Sequence, residues 1–145
     1  MDADLISRKP CALIVEDETL IAEELRERLS RLGFSVIATV DSAEEGIAIA
    51  TRNRPDLVLM DIRLKGEKDG VQAAQEIRQQ VDVPIVYVTA YSDRHTVDRV
   101  KGSEHDGYIL KPFHARELES TIDVAMQRHA IRAKRVKNID PDRTS

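Results

Sequence analysis

The sequence predicts an α/β domain, a parallel sheet of five strands with helices on both faces. Three observations carry that expectation. Five short runs rich in Val, Ile and Leu recur along the chain, at Cys11–Val15, Phe34–Val40, Asp56–Met60, Pro84–Thr89 and Tyr108–Leu110. They mostly lack the alternation of a half-exposed strand, which suits strands buried on both faces. The segments between them carry apolar residues at helical spacing, and such alternation, repeated along the chain, builds a parallel sheet.

Each element has its own local signals. After the first run, Thr19 to Leu32 places Ile21, Leu25, Leu29 and Leu32 on one helical stripe, and Gly33 supplies the stop. After the second, Asp41 or Ser42 caps a helix reaching Asn53, with Ile47 and Ala50 inward and Pro55 as terminator. Asp69 to Gln80 repeats the pattern with Ala74 and Ile77, followed by Val81. Ser92 to Lys101 is a shorter helix closed by Gly102, and His114 to Ala133 is the last, with Leu118, Ile122 and Ala125 on its inner face. The expected domain therefore spans 11–133, after an N-terminal arm at 1–10 and before a polar tail at 134–145 that contains Asp140-Pro141-Asp142. One spacing leaves open that the last helix continues into that tail. Leu118, Ile122, Ala125, His129, Arg132, Val136 and Ile139 advance by alternating steps of four and three, as in a coiled-coil seam.

At 145 residues the chain has the length of one domain and can bury a core without a disulfide or metal staple. Aromatic residues total 3% and Trp is absent, so the core must be aliphatic. With 22 basic and 26 acidic residues the net charge is −4, which lacks the basic excess of a nucleic-acid binder. The basic residues Arg128, Arg132, Lys134, Arg135 and Lys137 have a sufficient local explanation in the dipole at a helix C-terminus. The lone Cys11 can form neither an internal disulfide nor a multi-thiolate zinc site. No apolar stretch approaches the ~20 residues of a membrane helix, and Met1 to Pro10 has no signal-peptide core. The expected setting is the cytoplasm, without membrane contact.

In an open parallel sheet, functional groups gather beyond the carboxyl ends of the strands. Here the first run ends in Glu16-Asp17-Glu18, the third in Asp61, the fourth in Thr89-Ala90 and the fifth in Lys111-Pro112. Singly these are a helix-terminal acid, a β-branched strand residue and a surface lysine. Together the carboxylates repel one another, on the order of a kcal/mol per close pair at a surface, and a cation offsets that cost. Mg²⁺ suits such a set, being a hard ion held by one or two carboxylates, waters and a phosphate oxygen. Phosphoryl chemistry uses every member. A carboxylate can attack phosphorus to give an aspartyl phosphate. A metal and a lysine neutralise the charge on the equatorial oxygens while a hydroxyl donates to one of them. Asp61 follows the wholly apolar Leu57-Val58-Leu59-Met60 and is the candidate nucleophile; Glu16 and Asp17 are candidate metal ligands, Lys111 the ion partner and Thr89 the hydroxyl.

The motifs LIVEDE (13–18), DLVLMDIRL (56–64), DG (69–70), VTAY (88–91) and GYILKPF (107–113) stand in a specific order and spacing. Over roughly Cys11 to Arg128 the chain thereby resembles the CheY-like receiver domain of two-component response regulators. The resemblance implies a flavodoxin-like doubly wound sheet of strand order 2-1-3-4-5. It implies that Asp61 accepts a phosphoryl group from a sensor histidine kinase or histidine phosphotransfer protein, with Mg²⁺ held by Glu16, Asp17, Asp61 and the backbone carbonyl of Arg63. Thr89 and Tyr108 match the family's switch pair, and Lys111-Pro112 the pair joined by a cis peptide. Arg63 and Tyr91, two places beyond Asp61 and Thr89, occupy positions that tune phosphoryl lifetime, here by shielding the phosphoryl group from water. The implied readout surface is the fourth helix, fifth strand and fifth helix, with His95, Asp98, Arg99, Tyr108 and Glu117, able to engage an output protein or a second copy. A stand-alone receiver and a piece of a longer regulator fit equally. The loop Arg63-Leu64-Lys65-Gly66-Glu67-Lys68 departs from the pattern, being one residue longer and without proline.

Two rival classes fit less well. A metal-dependent phosphatase working through an aspartyl phosphate carries a second acid two residues after its nucleophile, and Arg63 stands there. A nucleotide- or flavin-binding module needs a Gly-rich phosphate loop after the first strand, where this chain has Glu16-Asp17-Glu18. The expectation is a phosphorylated switch rather than a turnover enzyme.

Overall fold

The computed structural model describes residues 8–100 and 106–138, with side chains at 8–98 and 106–134. Five strands, β1 (Cys11–Val15), β2 (Ser35–Val40), β3 (Leu57–Met60), β4 (Ile85–Ala90) and β5 (Gly107–Lys111), form one sheet in the order β2-β1-β3-β4-β5. Every neighbouring pair is parallel, so all strands end at the same edge. The helices are α1 (Thr19–Arg31), α2 (Ala43–Asn53), α3 (Gly70–Gln80), α4 (Arg94–Val100) and α5 (Ala115–Asn138). This is the flavodoxin-like doubly wound sheet.

The strands carry apolar side chains on both faces because both faces are covered. Successive side chains in a strand point to opposite sides. Leu13, Val15, Val58, Met60, Ile85 and Tyr87 pack against α2, α3 and α4 through Ala43, Ala50, Ala73, Ala74, Ile77 and Val97. Ala12, Ile14, Leu57, Leu59, Val86, Val88 and Ile109 pack against α1 and α5 through Leu25, Leu29, Leu118, Ile122 and Ala125. Each fully buried Leu or Ile stabilises by roughly 1.5–3 kcal/mol, so two aliphatic layers suffice without Trp.

Helix boundaries follow local chemistry. Gly33 (φ 96°) closes the turn after α1. Ser42 Oγ accepts from the Glu45 N–H at 3.3 Å to cap α2. Arg54, disfavoured from helical space by the following proline, takes φ 48° and ends α2. At α3 a reciprocal capping box forms: Asp69 Oδ1 accepts from the Gln72 N–H, and Gln72 Oε1 accepts from the Asp69 N–H, both at 2.9 Å.

The structure differs from the sequence reading at two helices. Tyr91–Asp93 forms a 3-10 turn and α4 begins at Arg94 rather than Ser92; the expected closure at Lys101 and Gly102 lies outside the described residues. The last helix runs through Asn138, beyond Ala133. Two ties hold its far half to the domain. His129 Nε2 lies 3.1 Å from Asp82 Oδ1, and Arg132 Nη2 lies 2.6 Å from Oδ1 of the buried Asp106. The stripe from Leu118 to Arg132 therefore faces its own domain rather than forming a seam between chains; the side chain of Val136, and Ile139, lie outside the described residues. So do residues 1–7 of the arm and 139–145 of the tail.

Candidate functional site

The parallel register brings distant residues to one edge. Val15 pairs with Met60 and Met60 with Tyr87, so Glu16 and Asp61 leave adjacent strands side by side, next to Thr89. Ala90 pairs with Lys111, which places the lysine on the far side of Thr89. The Asp61 N–H donates to the Val15 carbonyl at 2.9 Å and fixes the backbone where β3 ends. From the other side α3 abuts the same peptide. The Gly70 N–H donates to the Ile62 carbonyl at 2.7 Å, and a Cβ at Gly70 would collide with the Asp61 carbonyl oxygen. The DG pair is thus one cap that starts α3 and one close approach that lets the helix meet the Asp61 backbone.

Asp61 is 5% exposed. Its Oδ1 accepts from Thr89 Oγ1 at 2.9 Å and from the Arg63 N–H at 3.4 Å, and its Oδ2 accepts from Lys111 Nζ at 3.0 Å. The ammonium also lies 2.7 Å from Glu16 Oε1 and 3.6 Å from Glu18 Oε1. The other oxygen of Glu16 accepts from the Glu18 N–H at 3.1 Å. Burial pushes the Glu16 carboxyl up to about 7; its hydrogen bond to Lys111 opposes the rise and neighbouring Asp61 adds to it. Burial works to lower Lys111, but the Glu16 and Asp61 carboxylates outweigh it and hold the ammonium above its usual value. Ligand oxygens of Glu16, Asp17 and Glu18 lie within 4.8 Å of one another. With Asp61 beside them, three of the four carboxylates, Glu16, Glu18 and Asp61, face the ammonium of Lys111. A hard, oxygen-only donor set with this charge imbalance fits Mg²⁺.

The remaining expected residues lie around this centre. The Lys111–Pro112 peptide is cis. Tyr108 is half-buried against the α2–α3–α4 layer. Tyr91 is 59% exposed, with the Arg94 guanidinium 4.3 Å from its ring centre. Arg63 turns its guanidinium to the buried Asp93, its Nε donating to both carboxylate oxygens at 2.9 Å. His95, Asp98 and Glu117 are exposed, and the side chain of Arg99 lies outside those described. The longer loop after β3 is tied down at both ends, by Lys65 to Asp41 at 3.2 Å and Lys68 to Glu76 at 2.6 Å, with Gly66 at φ 96° between them. Arg132 has a buried partner in Asp106 in addition to its place in the last turns of the helix.

Sequence reasoning did not single out Glu18 or Asp93. Glu18 occupies the position before α1 without a side-chain cap bond and leans toward Lys111; its place in the acidic run was the available signal. Asp93 resembles any acid near a helix start, and only the fold shows Arg63 against it.

Comparison with known proteins gives a consistent picture. The family model described as response regulator receiver domain matches residues 12–123. The chain is 36% identical over 116 residues to the transcriptional regulatory protein PdtaR of Mycobacterium tuberculosis, covering 80% of this chain and 56% of that protein. It is 40% identical over 123 residues to a probable transcriptional regulator, ycf27, of Porphyridium aerugineum, covering 83% of this chain and 50% of that one. The chain thus spans about half the length of these curated relatives. Among solved structures, the signal receiver domain of a modulated diguanylate cyclase from Desulfovibrio desulfuricans is 36% identical with a TM-score of 0.78, covering 86% of this chain and 99% of that one. No helix among the described residues is long and apolar enough to cross a membrane.

Proposed function

Because the chain belongs to the response regulator receiver domain family of two-component signalling, we propose that Asp61 is its phosphoacceptor and that phosphorylation there switches a protein-interaction surface. The observation that carries this reading is the buried carboxylate of Asp61 held between Thr89 Oγ1 and Lys111 Nζ. One Asp61 oxygen attacks the phosphorus of a phosphohistidine on a sensor histidine kinase or histidine phosphotransfer protein. The O–P bond forms as the N–P bond breaks, and the histidine nitrogen leaves with the electron pair and takes up a proton. Lys111 offsets the charge gathering on the phosphoryl oxygens. Thr89 exchanges its bond to Asp61 for one to a phosphoryl oxygen. Glu16, Asp17, Asp61 and the Arg63 carbonyl would hold Mg²⁺, which when bound supplies further charge neutralisation.

Movement of Thr89 opens space beside β4, and the half-buried Tyr108 turns into it. The reading surface is then α4, β5 and α5, which engages an output protein or a second copy. Arg63 and Tyr91 set how long the phosphoryl group survives. The domain works in the cytoplasm as a switch, without turning over other substrates. The test is incubation with Mg²⁺ and acetyl phosphate followed by intact mass. One added phosphoryl group, lost in Asp61→Asn and with chelator, is expected. A wild-type protein that gains no mass, or an Asp61→Asn protein that gains as much, would overturn the reading.

A further inference from the structure

We infer that Arg63 and Asp93 form a latch joining the phosphoacceptor loop to the start of α4, and that phosphorylation of Asp61 opens it by drawing the guanidinium away. The inference rests on Asp61 being the modified residue, as proposed above. Arg63 lies two residues past Asp61. Asp93 ends the 3-10 turn directly before α4. Their ion pair, 2.9 Å from Nε to each carboxylate oxygen, is the side-chain tie between the two loops on the solvent side of the site. Thr89 Oγ1 on Asp61 Oδ1 is the corresponding tie on the buried side. Both connect the segment after β4 to the unmodified Asp61 loop.

The two partners differ in a way that makes the pair a device rather than a brace. The side chain of Arg63 is 76% exposed, whereas that of Asp93 is 7% exposed. An exposed guanidinium on a flexible stem can turn to a new anion at little cost. A buried carboxylate cannot lose its counterion and stay buried. The charge of Asp61 already acts on the Arg63 guanidinium, more weakly than that of Asp93. Phosphorylation replaces its single charge with about −1.5 to −2 and presents oxygens suited to the planar fork of an arginine. Once Arg63 turns to them, Asp93 must find water, which opens the 3-10 turn and shifts the beginning of α4. The Arg94 guanidinium stacked on Tyr91, 4.3 Å from the ring centre, lies in the same turn and moves with it.

Hydrogen exchange over residues 91–98 tests this, read by mass spectrometry on the full chain. Three proteins are compared in chelator, wild type, Arg63→Ala and Asp93→Asn, and each is then loaded with Mg²⁺ and beryllofluoride. Without loading, Arg63→Ala should exchange about tenfold faster than wild type across the segment, as expected when a local opening loses its restraint. Loading should raise wild type toward that rate and add little to Arg63→Ala. Asp93→Asn needs no counterion, so its segment should stay protected in chelator and respond weakly to loading. Wild-type exchange in Arg63→Ala, or a full loading response in Asp93→Asn, would overturn the latch. Intact mass after acetyl phosphate is read on the same wild-type sample. A failure to gain phosphoryl mass there overturns the phosphoacceptor reading and the trigger with it, whereas the chelator measurements judge the latch separately.

Discussion

Replacing Lys111 with Met should destabilise the domain strongly at alkaline pH and much less at acid pH. The ammonium lies 2.7 Å from Glu16 and 3.0 Å from Asp61, whose side chains are 1% and 5% exposed, and its own side chain is 12% exposed. Removing one partner from a buried ion pair costs about 3–5 kcal/mol. The site opens to solvent past Glu18, whose side chain is 62% exposed, so screening shifts the cost below that range, to about 2–4 kcal/mol at roughly pH 8. The pH dependence has a definite sign. Burial raises Glu16 from 4.5 to about 7, so the folded state binds its proton more tightly than the unfolded chain, and Glu16's contribution to stability falls as pH rises between those values. Lys111 opposes that rise; without it the Glu16 carboxyl titrates higher still. At about pH 5.5 the variant keeps Glu16 protonated and the loss should shrink to roughly 1 kcal/mol. Urea denaturation of both proteins in chelator at the two pH values measures the difference, and Met preserves the apolar stem. A loss below about 1 kcal/mol at both, the range of an exposed ion pair, would refute the reasoning.

Asp106→Asn should cost about 2–4 kcal/mol in urea unfolding, because an amide oxygen can replace Oδ2, which accepts from Arg78 and the Ile85 N–H, but puts an NH2 group where Oδ1 meets Arg132 and leaves two arginines without a counter-charge. The same variant should raise hydrogen exchange in the far half of α5 before other helices respond. Gly70→Ala should destabilise by about 1–3 kcal/mol despite the better helix propensity of alanine, since its Cβ meets the Asp61 carbonyl. It should also slow labelling by acetyl phosphate; normal stability with normal labelling would show that the backbone there yields freely.

The strands β1, β3 and β4 were legible because each is sandwiched between helix layers, which forces uninterrupted apolar runs such as Leu57 to Met60, whereas the edge strands β2 and β5 are only partly buried and admit Ser35, Thr39 and Lys111. Their order was not legible from periodicity, since hydrophobic spacing does not say which strand neighbours which; it entered through the family motifs. The 3-10 turn at Tyr91–Asp93 read as a helix start because the two tighten the chain with the same residue types. The helix beyond Ala133 was missed as a definite feature for another reason. Arg132 and His129 are held by Asp106 and Asp82, acids 26 and 47 residues earlier in the chain, and no local pattern records them. The site was visible as a set of strand ends. Its individual bonds, and the pairing of Arg63 with Asp93, depend on side-chain directions that only the folded backbone fixes.

The four groups that bind one another at the sheet edge come from residues 16, 61, 89 and 111, and the last arrives on an outer strand. With that strand missing, Glu16 and Asp61 would face each other without the ammonium of Lys111. The charge balance of the site is therefore complete only once the outermost strand has joined the sheet, which makes the site a property of the whole fold rather than of any one strand end.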